Sequence, residues 1–187
     1  MANKIAAMIK DSIAVKKAVL EKQTALIERA AAMIAECFKR GDKVVLFGNG
    51  GSAADCQHLA AEFVGRYLKE RRALPAIALT TDTSILTAVG NDYGFGRVFE
   101  RQIEALASSG DVAIAISTSG NSQNVLLGIE KAKKLGLYTI ALCGGSGGRM
   151  KTLADLAIVV PSEKTPRIQE CQLMIGHIIC ERVDELL

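Results

Sequence analysis

Apolar residues recur every three to four positions over the first forty residues: Ile5, Met8, Ile9 and Ile13, then Val15, Val19 and Leu20. Leu26, Ile27, Ala30, Met33, Ile34, Cys37 and Phe38 continue the stripe. That period predicts helix, stopping at Gly41 behind the basic pair Lys39-Arg40. The polar run from Glu21 to Thr24 divides the stripe, so two helices, or one with a break there, are expected. An amphipathic arm of this kind needs a surface to pack on, either its own sheet or another subunit.

From Asp42 onward the pattern changes. Short, nearly continuous apolar runs predict strands at 43–47, 75–80, 112–117, 137–142 and 156–160, covered on both faces. Helical stretches are expected between them at 53–68, 95–107, 124–135 and 149–153, with a last helix from about 166 to 187. Strands alternating with helices imply an α/β fold, a doubly wound five-stranded parallel sheet with right-handed crossovers. The reading is one domain: a helical arm over 1–40 and an α/β core over 41–187.

The composition adds mainly exclusions. With 187 residues, 49 % hydrophobic and 23 % charged, the chain can bury a core without staples. The 17 Gly and 3 Pro are too few, and too scattered, for a collagen-like or disordered chain. A net charge of +3 is too weak to mark a nucleic-acid binder, and 4 % aromatics without Trp offer no base-stacking platform. Five Cys residues, with no C-x-x-C pair, sit in apolar segments as buried reduced thiols do. Lys4, Lys10 and Asp11 interrupt any signal-peptide core, and no apolar run reaches a membrane span. A soluble, cytoplasmic protein is expected.

In an open parallel sheet, ligands bind at the carboxyl ends of the strands. The first such loop is Gly48-Asn49-Gly50-Gly51-Ser52, where Ser52 and Asp55 make a capping box for the following helix. Its free N–H groups suit an anion or a sugar hydroxyl, but a plain tight turn fits as well. Gly48-x-Gly50-x-x-Ala53 also matches a loose dinucleotide fingerprint. That reading lacks its ribose acid, since Asp82 lies some 30 residues past the loop.

The loop after the third strand, Ser117-Thr118-Ser119-Gly120-Asn121-Ser122, is more telling. Four hydroxyls and free N–H groups at a helix start suit a phosphate, whereas a cap needs only one. On the helix after the glycine loop, His58 and Glu62 share a face with Asp55 and Arg66, opposite Ala53, Ala60, Ala61, Val64 and Leu68. On the last helix Gln169 and His177 stand two turns apart amid apolar residues on nearly every side. Asn91-Asp92 either reads sugar hydroxyls or makes an Asx-turn before Gly94.

Four segments together carry a resemblance: GNGGSAADCQHLAAEF at 48–63, TAVGNDYGF at 87–95, ISTSGNS at 116–122, and RIQE with His177 at 167–177. The whole chain resembles the SIS (sugar isomerase) domain family, in particular its heptose-phosphate branch. The resemblance implies an aldose–ketose isomerase, taking sedoheptulose 7-phosphate to D-glycero-D-manno-heptose 7-phosphate through an enediol. That is the first step towards ADP-heptose and the lipopolysaccharide core. It implies Glu62 and His177 as the acid–base pair, and Ser117, Thr118, Ser119 and Ser122 around the phosphate. Asn49, Gly50, Gly51, Ser52, Asn91, Asp92, Glu62 and Gln169 would contact the sugar. His58, Glu62, Gln169 and His177 would hold one Zn²⁺ per subunit. A homotetramer with shared sites is implied, without nucleic-acid or membrane partners. The competing reading is a non-catalytic SIS-fold binding module, a replication-initiator partner or a phosphosugar sensor.

Overall fold

The computed structural model describes residues 2–187. The chain opens with α1 (Ala2–Arg40) and β1 (Val44–Gly48), followed by α2 (Gly51–Val64) and β2 (Ala76–Ala78). Next come α3 (Thr83–Tyr93), a 3₁₀ turn (Phe95–Arg97), α4 (Val98–Leu106) and β3 (Val112–Ser117). It closes with α5 (Gln123–Lys134), β4 (Tyr138–Gly144), α6 (Met150–Leu153), β5 (Leu156–Val160) and α7 (Thr165–Leu186).

All five strands are parallel, in the order β2-β1-β3-β4-β5. Alternate residues of β1, β3 and β4 feed two cores, whereas the edge strand β2 is covered on one face only and leaves Ile77 exposed, against the expectation for it. Val44 and Leu46 of β1 join the layer under α1, α2 and α7, while Val45 and Phe47 join the layer under α4 and α5. Both faces of these central strands are therefore buried, which is why they read as continuous apolar runs rather than alternating ones.

Three expectations need correction. The arm is one unbroken helix: residues 2–40 contain no Gly or Pro, and the Thr24 hydroxyl donates to the Leu20 carbonyl at 2.6 Å. A polar stretch breaks an apolar stripe without breaking a helix. Residues 83–93, where no helix is expected, form α3, started by an Asp82 carboxylate that accepts from the Ile85 N–H at 2.9 Å. Asp82 is thus an N-cap. Finally, α2 ends at Val64, and its core face is Ser52, Cys56, Leu59, Ala60 and Phe63, whereas Val64 and Leu68 are exposed.

The carboxyl half of α1 packs through Val19, Ile27, Ala30, Ile34 and Phe38. Its amino half leaves Ile5, Met8, Ile9 and Ile13 47–61 % exposed, a stripe with no partner in the same chain. On α7, Ile168, Ile175, Ile179 and Val183 are buried, but Ile178 is exposed rather than enclosed. All five cysteines are free and buried. Among the described residues no helix is long and apolar enough to cross a membrane.

One carboxylate ties the sheet edge together. Asp155 accepts from the Thr139 N–H at 2.9 Å, the Thr139 hydroxyl at 2.7 Å and the Lys133 ammonium at 2.7 Å. Burial pushes its carboxyl up, but the Lys133 and Thr139 bonds outweigh that and hold it below the usual carboxylate range. A folded-state pKa below the unfolded one adds stability above the unfolded value, and that stability disappears as pH falls through the folded value. The melting temperature should therefore hold near neutrality and drop below about pH 4. Asp155→Asn should lower it at pH 7 by the equivalent of about 1–2 kcal/mol and flatten the acid limb. A parent-like acid limb in calorimetry of that variant would refute the assignment.

Candidate active site

The strand order reverses between β1 and β3, and the crevice there is closed by two loops. An amide pair joins them: Asn49 Nδ2 donates to Asn124 Oδ1 at 2.8 Å, and Asn124 Nδ2 donates to Asn49 Oδ1 at 2.9 Å. Gly48 is needed for this approach, since a Cβ there would stand 2.7 Å from the Ile116 carbonyl oxygen of β3. The capping box is absent. Gly50, at φ 56°, is the N-cap of α2 without a side-chain bond, and Ser52 is buried within the first turn. The positive φ at Gly50 turns the chain into the helix, so no hydroxyl cap is required.

In the second loop Ser117 Oγ lies 3.1 Å from Ser122 Oγ and 3.5 Å from Ser119 Oγ. Ser122 occupies the N-cap position of α5 but makes no side-chain capping bond. The hydroxyls thus converge on each other beside the positive end of the helix, available to an anion. Thr118 and Ser119 also line a cavity of about 310 Å³ together with Gly145, Ser146, Glu163 and Thr165. The last four are missed by sequence reasoning. Their only sequence signal is position, just past the carboxyl ends of β4 and β5. Gly120 (φ 66°) and Gly148 bring the two loops into contact, because a Cβ on Gly120 would collide with the Gly147 carbonyl.

The other group of candidate residues lies on the α2–α7 side. His58 and His177 meet with their Nε2 atoms 2.8 Å apart, one ring donating and the other accepting. Glu62 Oε1 stands 3.3 Å from His58 Nε2. The ligating atoms of His58, Glu62 and His177 all fall within 4.8 Å of one another. Tyr67 covers the His177 ring, centroid to centroid 5.7 Å. Burial pushes the nearby Asp55 carboxyl above its ordinary range, against the pull of the His58 and His177 imidazoles. Tertiary packing thus joins residues that are 119 positions apart.

Gln169 does not join this cluster within the chain. Its amide packs on Gly51, at the top of α2, roughly 10 Å along the helix from His58. Asn91 and Asp92 stand in the exposed last turn of α3, the Asn91 amide donating to Asp92 Oδ1 at 2.9 Å, so they make no Asx-turn.

The donor set fits a metal. Tetrahedral zinc with ligands at 2.0–2.2 Å spaces its donors roughly 3.3 Å apart, so the imidazole nitrogens need to part by only a few tenths of an ångström. Two imidazoles and a carboxylate also match the three-ligand pattern that leaves zinc an open position.

A parallel sheet with hydroxyl-rich loops at its switch point and an imidazole–carboxylate cluster on its flank defines a phosphosugar-handling α/β protein. The SIS domain model matches residues 8–144. A phosphoheptose isomerase of Aquifex aeolicus is 56 % identical over 187 residues, covering 100 % of this chain and 98 % of that one. The solved phosphoheptose isomerase of Francisella tularensis is 37 % identical, with a TM-score of 0.95 and 98 % of both chains covered. That of Neisseria gonorrhoeae is 40 % identical, with a TM-score of 0.93 and the same coverage. The chain belongs to the SIS domain family, among the phosphoheptose isomerases.

Proposed function

We propose that this chain interconverts sedoheptulose 7-phosphate and D-glycero-D-manno-heptose 7-phosphate. The observation that carries this reading is the meeting of Glu62 and His177 from two separate helices. Aldose–ketose isomerisation requires a base at the carbon beside a carbonyl and a group that moves protons between the two oxygens. Glu62 removes the C1 proton of the ketose, its carboxyl exchanges that proton with solvent, and it then protonates C2. No protein donor bonds its Oε2 among the described residues, which leaves that oxygen for the substrate. His177 carries the proton between O2 and O1, and its contact with His58 orients the ring.

The 7-phosphate binds Ser117, Thr118, Ser119 and Ser122 at the start of α5. Asn49, Gly50, Gly51 and Ser52 take the sugar hydroxyls. Anchoring the remote phosphate orients the reacting carbons, so binding energy far from the chemistry lowers its barrier.

His58, Glu62 and His177 would hold a zinc ion in place of the direct His58–His177 contact, and the ion would supply Lewis-acid chemistry to the reacting oxygens. The three residues support this reading by their spacing.

Sites are shared between copies of the chain in a homotetramer. Glu62 lies eleven residues along α2 from Gly51, roughly 16 Å from the strand ends where the phosphate loop opens. His58 faces outward from α2 rather than into that crevice. A second subunit seated on α1 and α7 would cover Ile5, Met8, Ile9, Ile13 and Ile178 and bring its own loop to this cluster. Gln169, Asn91 and Asp92 complete the sugar site from such a neighbour. The reaction belongs to heptose synthesis for lipopolysaccharide or a related glycan and takes place in the cytoplasm.

NMR of sedoheptulose 7-phosphate in deuterated water tests the reading. Conversion with deuterium entering at C2 is expected. Absence of turnover by the metal-loaded protein would overturn the isomerase and favour a binding module.

A further inference from the structure

The Arg71–Asp184 pair stands outside the groups considered so far, and it is the most enclosed ion pair among the described residues. Side-chain exposure is 8 % for Arg71 and 4 % for Asp184, with Arg71 Nε 2.6 Å from Asp184 Oδ1. The guanidinium has three further acceptors, one of them the neighbouring Arg72 carbonyl at 3.1 Å from Nη1. Its Nη2 donates to the Glu62 carbonyl at 3.0 Å, and its Nη1 to the Phe63 carbonyl at 2.9 Å. These carbonyls belong to the last turn of α2, where the helix leaves them without intrahelical partners. A cation at that end also meets the negative pole of the helix.

Asp184 is equally occupied. Its Oδ2 accepts the backbone N–H groups of Leu68 and Lys69, both at 3.1 Å. It stands seven residues after His177, two turns along the same face of α7. The segment it grips, just past α2, carries Tyr67, whose ring covers His177. One buried pair therefore joins the turn bearing Glu62, the segment bearing Tyr67 and the helix bearing His177.

We infer that Arg71 and Asp184 are positioning residues for the isomerisation, setting where Glu62 stands relative to His177 without touching the substrate. The inference rests on the acid–base roles proposed for those two residues. Arg71 is suited to this because its planar fork serves four acceptors at once, while a lysine ammonium in its place keeps the charge but loses that geometry. The pair acts at the end of α2 distant from the phosphate loop. Its loss should therefore reach the chemical step and spare phosphate binding.

The test compares Arg71→Lys and Asp184→Asn with the parent at a temperature where circular dichroism shows all three folded. Asp155→Asn serves as a destabilised control at the far edge of the sheet. A misplacement of about 1 Å can cost on the order of 10²-fold in rate, so kcat should fall roughly 30- to 100-fold with KM changed less than threefold. Arg71→Ala should fall further than Arg71→Lys. The control should keep the parent kcat.

A second readout needs no turnover. The chain has only two histidines, so its ¹H–¹⁵N imidazole spectrum contains just His58 and His177. Both should shift in the Arg71 and Asp184 variants and stay in place in the control. Folded variants with parent-like kcat and parent-like imidazole signals would overturn the inference. So would a control that loses kcat as much as they do. If the parent itself fails to turn over the heptose phosphate, the functional reading falls, and the imidazole spectra alone decide whether the pair positions the cluster.

Discussion

Glu62→Gln is expected to abolish conversion of sedoheptulose 7-phosphate and the entry of deuterium at C2, with the fold intact. A glutamine amide has the shape of the carboxylate but accepts no proton at this pH, and general-base catalysis contributes on the order of 10²–10⁴-fold. Loss of a zinc ligand acts in the same direction, so a fall in kcat of about 10³-fold or more is expected. Glu62 is part exposed on α2 and makes no buried contact that the amide would break, so the melting temperature of the metal-free protein should change by less than about 2 °C.

The same variant tests whether sites are shared. Ser119→Ala removes a hydroxyl from the phosphate loop and should raise KM on its own. Mixed oligomers of Glu62→Gln and Ser119→Ala chains should regain part of the parent activity, because some sites then combine an intact loop with an intact cluster. Activity no greater than the sum of the two separate variants would show that each chain builds its own site.

Phe47→Ala is expected to be the most destabilising single truncation in the sheet. Phe47 is fully buried on β1, its ring 5.5 Å from that of Phe99. Helix α5 approaches so closely at Gly128 that a Cβ there would stand 2.7 Å from the Phe47 ring. Neighbours already in contact cannot collapse far into the space left, so the transfer and cavity terms add, to about 3–5 kcal/mol. Against a typical total of about 5–15 kcal/mol this removes a large share of the stability and lowers the melting temperature by roughly 10 °C or more. Phe47→Leu should retain most of it. A loss below about 1 kcal/mol for the alanine variant in urea unfolding would show that this layer repacks freely.

The five strands, their parallel sense and the flanking helices were legible from pattern alone. A strand buried on both faces shows an unbroken apolar run, and helices between such strands leave room only for crossovers. The hydroxyl loop at 117–122 was legible too, because too many hydroxyls crowd one helix start. Helix α3 was not. None of its residues is fully buried, and its apolar positions Ile85, Leu86 and Val89 span barely one turn, too short a stripe to mark a helix beside the polar Asn91-Asp92. The capping box failed for a different reason: Ser52 and Asp55 have the right spacing, but the backbone turns at Gly50 and places Ser52 in the core.

The sequence by itself determined the α/β architecture, the hydroxyl loop and the identity of the imidazole and carboxylate groups, since these depend on local period, turn chemistry and side-chain type. Only the tertiary structure decided which of those groups meet. His58 and Glu62 share a helix, so their nearness follows from a four-residue spacing. His177 reaches them because α7 packs alongside α2, with Leu59 against Gly176 and Asp184 on the segment after Val64. The same register holds the Gln169 amide at Gly51, two turns from His177. Contacts between distant segments arise from burying one helix face against another, and no local pattern encodes that register.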